Sequence, residues 1–312
     1  MPKYDSPRSL AFIQFKIELT NEIRKFWMKI CSLSYAEKYL NNITCENREQ
    51  LIGDLPEHKD TFLTNLNLKY TEFVDEISDT EEYIRQDSIV NIISIFESYI
   101  FNAYQRMIAV KDTSTATKKE SEKQISISII ENIVKSKNPI IEFANVVTSQ
   151  KLRNKKTSEM VKEICDACKS GARQEKSKEL SELNKYVLLR NSIVHNSRFA
   201  SQDLENAFGE YESGKKLATK NREDVLKLSS LCLRIIESID NQYCKAVIKD
   251  KDARLLAKEI FIVRGLEKGI LKNEVYNKTG VNFSAVELDA IIAEVRRESY
   301  KNDFIFSPTM LN

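Results

Sequence analysis

Glycine and proline are scarce in this chain, at seven and five in 312 residues. Sheets joined by tight turns consume more of both, so the scarcity points away from a β-rich fold and toward helices. No apolar run approaches the length that spans a bilayer, and Met1-Pro2-Lys3-Tyr4-Asp5 opens without a signal-peptide core. The expectation is a cytoplasmic protein without a membrane segment. Six cysteines fit that compartment, and only Cys165 and Cys168 form a C-x-x-C pair. A structural zinc site wants a second close pair, and Cys232 with Cys244 is poorly spaced for one. Buried or incidental thiols are the better reading, and no metal or cofactor is expected. Histidine is scarcest of all, with two in the chain, and one of them is His195.

What is present is a hydrophobic share of 42%, enough for a sizeable core. The net charge of +2 says little, but its distribution is uneven. Residues 151–178 carry nine Lys or Arg against four acids. Lys151, Arg153, Lys155 and Lys156 open that stretch and are candidate contacts for a polyanion such as RNA. A solvated helix face would look the same.

Apolar spacing predicts a long amphipathic helix over Ser9–Leu40, with Phe12, Phe15, Leu19, Ile23, Phe26, Trp27 and Ile30 on its stripe. Asn41–Pro56 reads as a connection and Phe62–Ile77 as a helix. Ser78-Asp79-Thr80-Glu81 has capping-box spacing and predicts a new helix running to about Val110. Lys111–Lys123 lacks apolar anchors and reads as a loop. Ile125–Val134 is ambiguous, alternating at first like a strand. Helices are expected over Glu142–Val147, Glu159–Cys168 and Leu180–His195. Ser213-Gly214 suggests a small hairpin over Phe208–Thr219, and Asn221 with Asp224 opens a helix to about Ile248. Three short helices come next, over Leu255–Val263, Leu271–Lys278 and from Ser284 with Glu287 to about Arg297. They resemble a helix-turn-helix, although a three-helix docking element stays open. The division this suggests is a helical segment over 1–55, a helical domain over 56–250 and a helical segment over 251–312.

Two helices each place one charge on an apolar arc. At about 100° per residue, Leu183, Tyr186, Val187, Ile193 and Val194 share an arc with Arg190 at its middle. His195 lies at the margin of that arc and shares a face with Asn191 at i,i+4 spacing, which would let Asn191 orient the imidazole. Ile89–Ile108 likewise carries Glu97 inside its apolar arc. An apolar-facing charge is costly unless it is paired or faces a cleft. A packing ion pair between Glu97 and Arg190 and a functional cleft are both open readings. An arginine neutralises phosphate oxygens and a histidine exchanges a proton near neutral pH, which together suit chemistry on a phosphodiester.

Arg190-Asn191-Ser192-Ile193-Val194-His195, then Asn196, resembles the motif of the HEPN superfamily: an Arg, then a polar residue, then a His four to six positions after the Arg. Phe96-Glu97-Ser98-Tyr99-Ile100 resembles a segment on an earlier helix of many HEPN proteins. Residues 210–217 and the helix from Asn221 resemble the region C-terminal to the motif in large prokaryotic defence-associated branches. The similarity covers roughly residues 60–250. It implies an all-α, up-and-down helical bundle with a long N-terminal helix and a small helical C-terminal segment. It also implies a homodimer whose composite active site joins two motifs, and in many members a metal-independent endoribonuclease of toxin–antitoxin or antiviral defence systems.

Carried onto this chain, the resemblance makes His195 the general acid/base on a ribose 2′-OH and Arg190 the ligand of the scissile phosphate. Asn191 becomes the polar motif residue, with Glu97 and Asn196 in support. Attack by the 2′-OH leaves a 2′,3′-cyclic phosphate and needs no cofactor. RNA is then the substrate, and an antitoxin or defence protein a possible partner. One departure stands out: Ser197 occupies the position where toxins paired with nucleotidyltransferase antitoxins carry a modified Tyr. Two alternatives remain, a non-catalytic HEPN-type sensing or interaction module, and a nucleic-acid-binding regulator acting through the C-terminal segment.

Overall fold

A computed structural model describes residues 3–4, 7–42, 51, 69–110, 127–136, 139–168, 171–218 and 221–297. The protein is all-α, as the scarcity of glycine and proline predicts, with 82% of the described residues in helices. Twelve α-helices occur among them: α1 (Leu10–Asn41), α2 (Tyr70–Val110), α3 (Ile127–Lys135), α4 (Pro139–Leu152), α5 (Thr157–Ala167), α6 (Ala172–Glu175), α7 (Ser177–His195), α8 (Gln202–Phe208), α9 (Glu223–Tyr243), α10 (Lys251–Arg264), α11 (Lys268–Thr279) and α12 (Ala285–Arg297). A π-helical turn, Cys244–Ile248, extends α9 to the end expected for it. Two short strands, β1 (Lys3–Tyr4) and β2 (Val281–Asn282), pair antiparallel. No described helix is long and apolar enough to cross a membrane.

Three expectations need correction. Ser78–Glu81 does not start a helix, because α2 runs unbroken through it; a capping signature loses to a helix whose buried positions continue from Ile77 to Ile89 and beyond. The ambiguous stretch after Ile125 is helical from Ile127. The described part of the expected hairpin, residues 208–218, does not form one. Their turn at Ser213-Gly214 instead brings Lys216 back to a single antiparallel bridge with Phe199, and α8 lies between the two in sequence. The loop expected over Lys111–Lys123 lies outside the described residues, as do Ile43–Gln50, Ile52–Leu68 and the thiol of Cys45.

The chain divides into two compact units that interleave in sequence. The first gathers residues 1–18, 94–184 and 231–312, and the second residues 19–93 and 185–230. In the first unit, the C-terminal helices build a core from Leu256, Ile260, Leu271, Val275, Phe283, Leu288 and Ile291, with Leu10 packed into it. Ser284 and Glu287 form the expected capping box on α12: the Ser284 hydroxyl accepts from the Glu287 N–H at 3.3 Å, and the carboxylate accepts from the Ser284 N–H at 2.9 Å. Gly280, at φ 68°, makes the left-handed turn between α11 and β2.

The start of α1 is tied into this unit by two buried carboxylates. Ser9 donates its N–H to Asp240 Oδ2 at 2.9 Å and its hydroxyl to Oδ1, and Leu10 donates its N–H to Asp252 Oδ2 at 3.0 Å. Tyr99 also donates to Asp240, at 3.1 Å, while Arg106 Nε donates to Asp252 at 2.7 Å. Two anions at a helix N-terminus meet its positive dipole end and its unpaired N–H groups.

In the second unit, buried Phe26, Ile30, Ile89, Ile92 and Ile93 contribute aliphatic and aromatic core. An edge-to-face aromatic run joins α7 to the end of α8: Tyr186 lies 6.0 Å from Phe208, and Phe208 5.4 Å from Tyr211.

Candidate functional site

Leu183, Tyr186, Leu189, Ser192 and Ile193 form the buried stripe of α7. That stripe is rotated from the expected arc toward Leu189 and Ser192. Val194 is consequently 50% exposed, and Arg190 is half-buried at the margin of the stripe rather than at its middle. A guanidinium there keeps its charged end near water while its stem packs.

Arg190 Nη1 donates to Asn191 Oδ1 at 3.0 Å. This corrects the expected pairing of Asn191 with His195: the amide oxygen holds the arginine, and among the described residues the imidazole makes no hydrogen bond. His195 is the last residue of α7 and is exposed, as are Asn196 and Ser197. The carbonyl of Asn196 accepts from the Phe199 N–H at 2.9 Å. Arg190, Asn191, His195 and Asn196 all belong to the second unit.

Glu97 belongs to the first unit, half-buried on α2, where its carboxylate accepts from Thr157 Oγ1 at 2.6 Å. The basic candidates lie in the same unit. Lys151 and Lys155 both bind Glu163, the former at 3.4 Å. Burial pushes the Glu163 carboxyl up, but the two ammonium groups outweigh it and hold the group below its usual range. Lys156 occupies the N-cap of α5, and Arg153 is exposed beside it. Cys165, Cys168, Cys232 and Cys244 are buried free thiols.

Sequence reasoning missed the cluster that holds the turn after His195. Ser197 and Arg198 adopt positive φ, 51° and 69°, where side chains of L-residues crowd the backbone. The Arg198 guanidinium stacks 4.4 Å from the Tyr83 ring centroid and donates to Gln86 Oε1 at 2.6 Å and Asp87 Oδ1 at 3.2 Å. Beside it Lys216 binds Asp79 at 3.4 Å, which raises the lysine's pKa. Arg222 grips Glu81 through two 2.7 Å bonds and, with help from Arg85, holds that carboxyl low. An arginine just past a helix end carries no local sign of such a role, since its partners lie more than a hundred residues earlier.

A second set of perturbed groups surrounds Asp240. Burial raises its carboxyl to about 6, against the opposing bonds from Ser9 and Tyr99. It is closed from solvent, 2% exposed, and its geometry is that of a clamp on α1. In the C-terminal helices a cavity of about 490 Å³ is lined by Phe261, Leu266 and Ile292, with Lys268, Arg296 and Arg297 among its polar wall. The exposed positions of α12 include Asp289 and Glu294, paired with Lys268 and Lys258, together with Arg296 and Arg297. No protein-family model, curated protein or solved structure matches this chain.

Proposed function

We propose that the protein is a HEPN-type, metal-independent endoribonuclease of a prokaryotic defence or toxin–antitoxin system. The observation that carries this reading is the Arg190–Asn191 clasp at 3.0 Å, one helical turn before an exposed His195 at the helix end. The clasp orients a guanidinium near the helix surface, and a guanidinium is the side chain best suited to neutralise phosphate oxygens. The imidazole, exposed at the helix end, takes the proton of a ribose 2′-OH.

In that mechanism the 2′-oxygen attacks the adjacent phosphorus as His195 accepts its proton. Arg190 stabilises charge building on the non-bridging oxygens, and the 5′-oxygen leaves as a hydroxyl, taking a proton from a general acid or water. Arg190 and His195 diverge around one helix, so a second copy of the chain supplies the converging partners; the active species is a homodimer in the cytoplasm. Lys151, Arg153, Lys155 and Lys156 contribute electrostatic attraction for RNA, and an antitoxin or defence partner restrains the activity.

Product ends test the chemistry. The 5′ fragments carry 2′,3′-cyclic phosphate, and a single 2′-deoxy substitution at the cut position blocks cleavage there. Products with 3′-hydroxyl ends, or cleavage through the deoxy position, would contradict the mechanism.

A further inference from the structure

The turn after α7 is held in a conformation its residues disfavour. Ser197 and Arg198 are both left-handed, and strain of this kind persists only where surrounding contacts over-determine it. Here the contacts are the Arg198 stack on Tyr83 and its bonds to Gln86 and Asp87. Backbone bonds fix residues 199 and 200 in turn. Phe199 donates to Asn196 O at 2.9 Å and bridges Lys216, while Leu217 donates to Arg198 O and Ala200 to Lys215 O, both at 2.8 Å.

The residue delivered by this rigid turn is Phe199, whose side chain is 47% exposed. A phenyl ring left in water forfeits the free energy of its burial, and nothing in the turn's own hydrogen bonding requires an aromatic there. Tyr83, also partly exposed, is already covered by cations: Arg198 at 4.4 Å and Lys216 at 5.5 Å from its centroid. Phe199 is an exposed ring four residues past His195, on the turn that follows α7.

We infer that Phe199 is a stacking platform for a nucleobase of a single-stranded RNA bound at Arg190 and His195. The inference rests on the reading of this site as one for RNA. Every base offers a π face, so a rigidly placed ring holds a strand with little sequence preference and sets which base lies beside the acid/base group. The backbone strain at Ser197 and Arg198 then serves to hold the ring outward instead of letting it fold back onto the helix.

The test uses a short single-stranded oligonucleotide containing 2-aminopurine and lacking 2′-hydroxyls, so that binding is read without cleavage. Stacking on Phe199 quenches the probe. Phe199→Ala weakens binding about tenfold and abolishes the quench. Phe199→Trp restores both, with sedimentation unchanged throughout. Equal binding and quenching by wild type and Phe199→Ala overturn the platform. So does a loss of binding accompanied by a change of oligomeric state, which would make a second copy of the chain the occupant of the ring. Cleavage of all-ribose RNA is monitored in parallel. Phe199-dependent quenching without cleavage contradicts the ribonuclease reading and upholds the platform. Cleavage without Phe199 dependence does the reverse, and a wild type that binds no oligonucleotide overturns both.

Discussion

The Arg198 guanidinium and the Gln86 carboxamide meet at 2.6 Å across 112 residues of sequence. Gln86 is 1% exposed, so the bond satisfies a buried acceptor while fixing the turn just past the Arg190–His195 segment.

Removing that donor leaves the Gln86 oxygen buried and uncovers Tyr83. Arg198→Ala is expected to cost about 1–3 kcal/mol in urea unfolding. Arg198→Lys should recover only part of the loss, because an ammonium cannot reach Gln86 and Asp87 with one planar fork. Full stability in Arg198→Ala would show that the clamp does not hold the turn.

Ser197 tests the strain from the other side. Glycine adopts φ near 51° without steric conflict, so Ser197→Gly should stabilise the protein by roughly 1 kcal/mol, less the chain entropy glycine adds. A destabilised variant would mean that the serine side chain itself supports the turn.

The helices were legible where periodicity was strong: α1 was expected over Ser9–Leu40 and spans Leu10–Asn41, and Ser284 with Glu287 caps α12 as their spacing predicts. Local signals failed where tertiary burial outweighed them, as at Ser78, which sits inside α2. In the candidate site, the pairing of Arg190 with its neighbour was hidden because Asn191 has two options on a helix, the adjacent residue and His195 one turn on. Spacing alone favours the second; the rotation of α7 toward Leu189 selects the first. The Arg198 cluster was out of reach, since no local pattern joins residues 79–87 to residues 198–222.

Asp240 predicts a pH dependence with a definite sign. Its folded-state pKa is raised, to about 6 from 3.8, so the native state binds the proton more tightly than the unfolded chain. The stabilisation is full below the unfolded value and is lost as pH rises through about 6. Asp240→Asn retains an acceptor for Ser9 but does not titrate. Between pH 4 and 6 the wild type should therefore lose stability relative to this variant, by about 2 kcal/mol. Parallel melting curves across that interval would contradict the assignment.

The four basic candidates should not contribute equally to RNA affinity. Glu163 partly neutralises Lys151 and Lys155, so Arg153→Ala and Lys156→Ala are expected to flatten the salt dependence of binding more. Each lost phosphate contact lowers the slope of log affinity against log salt by about 0.7 for a single strand. Slopes unchanged from the wild type in all four variants would show that the segment does not touch RNA.

The most direct measurement is cleavage of total cellular RNA and tRNA by the purified protein in EDTA, wild type beside His195→Ala. The account predicts cleavage by the wild type and a loss of at least about a hundredfold in the variant, the scale of a missing general acid/base. Equal cleavage by both proteins, or none by the wild type, would contradict it.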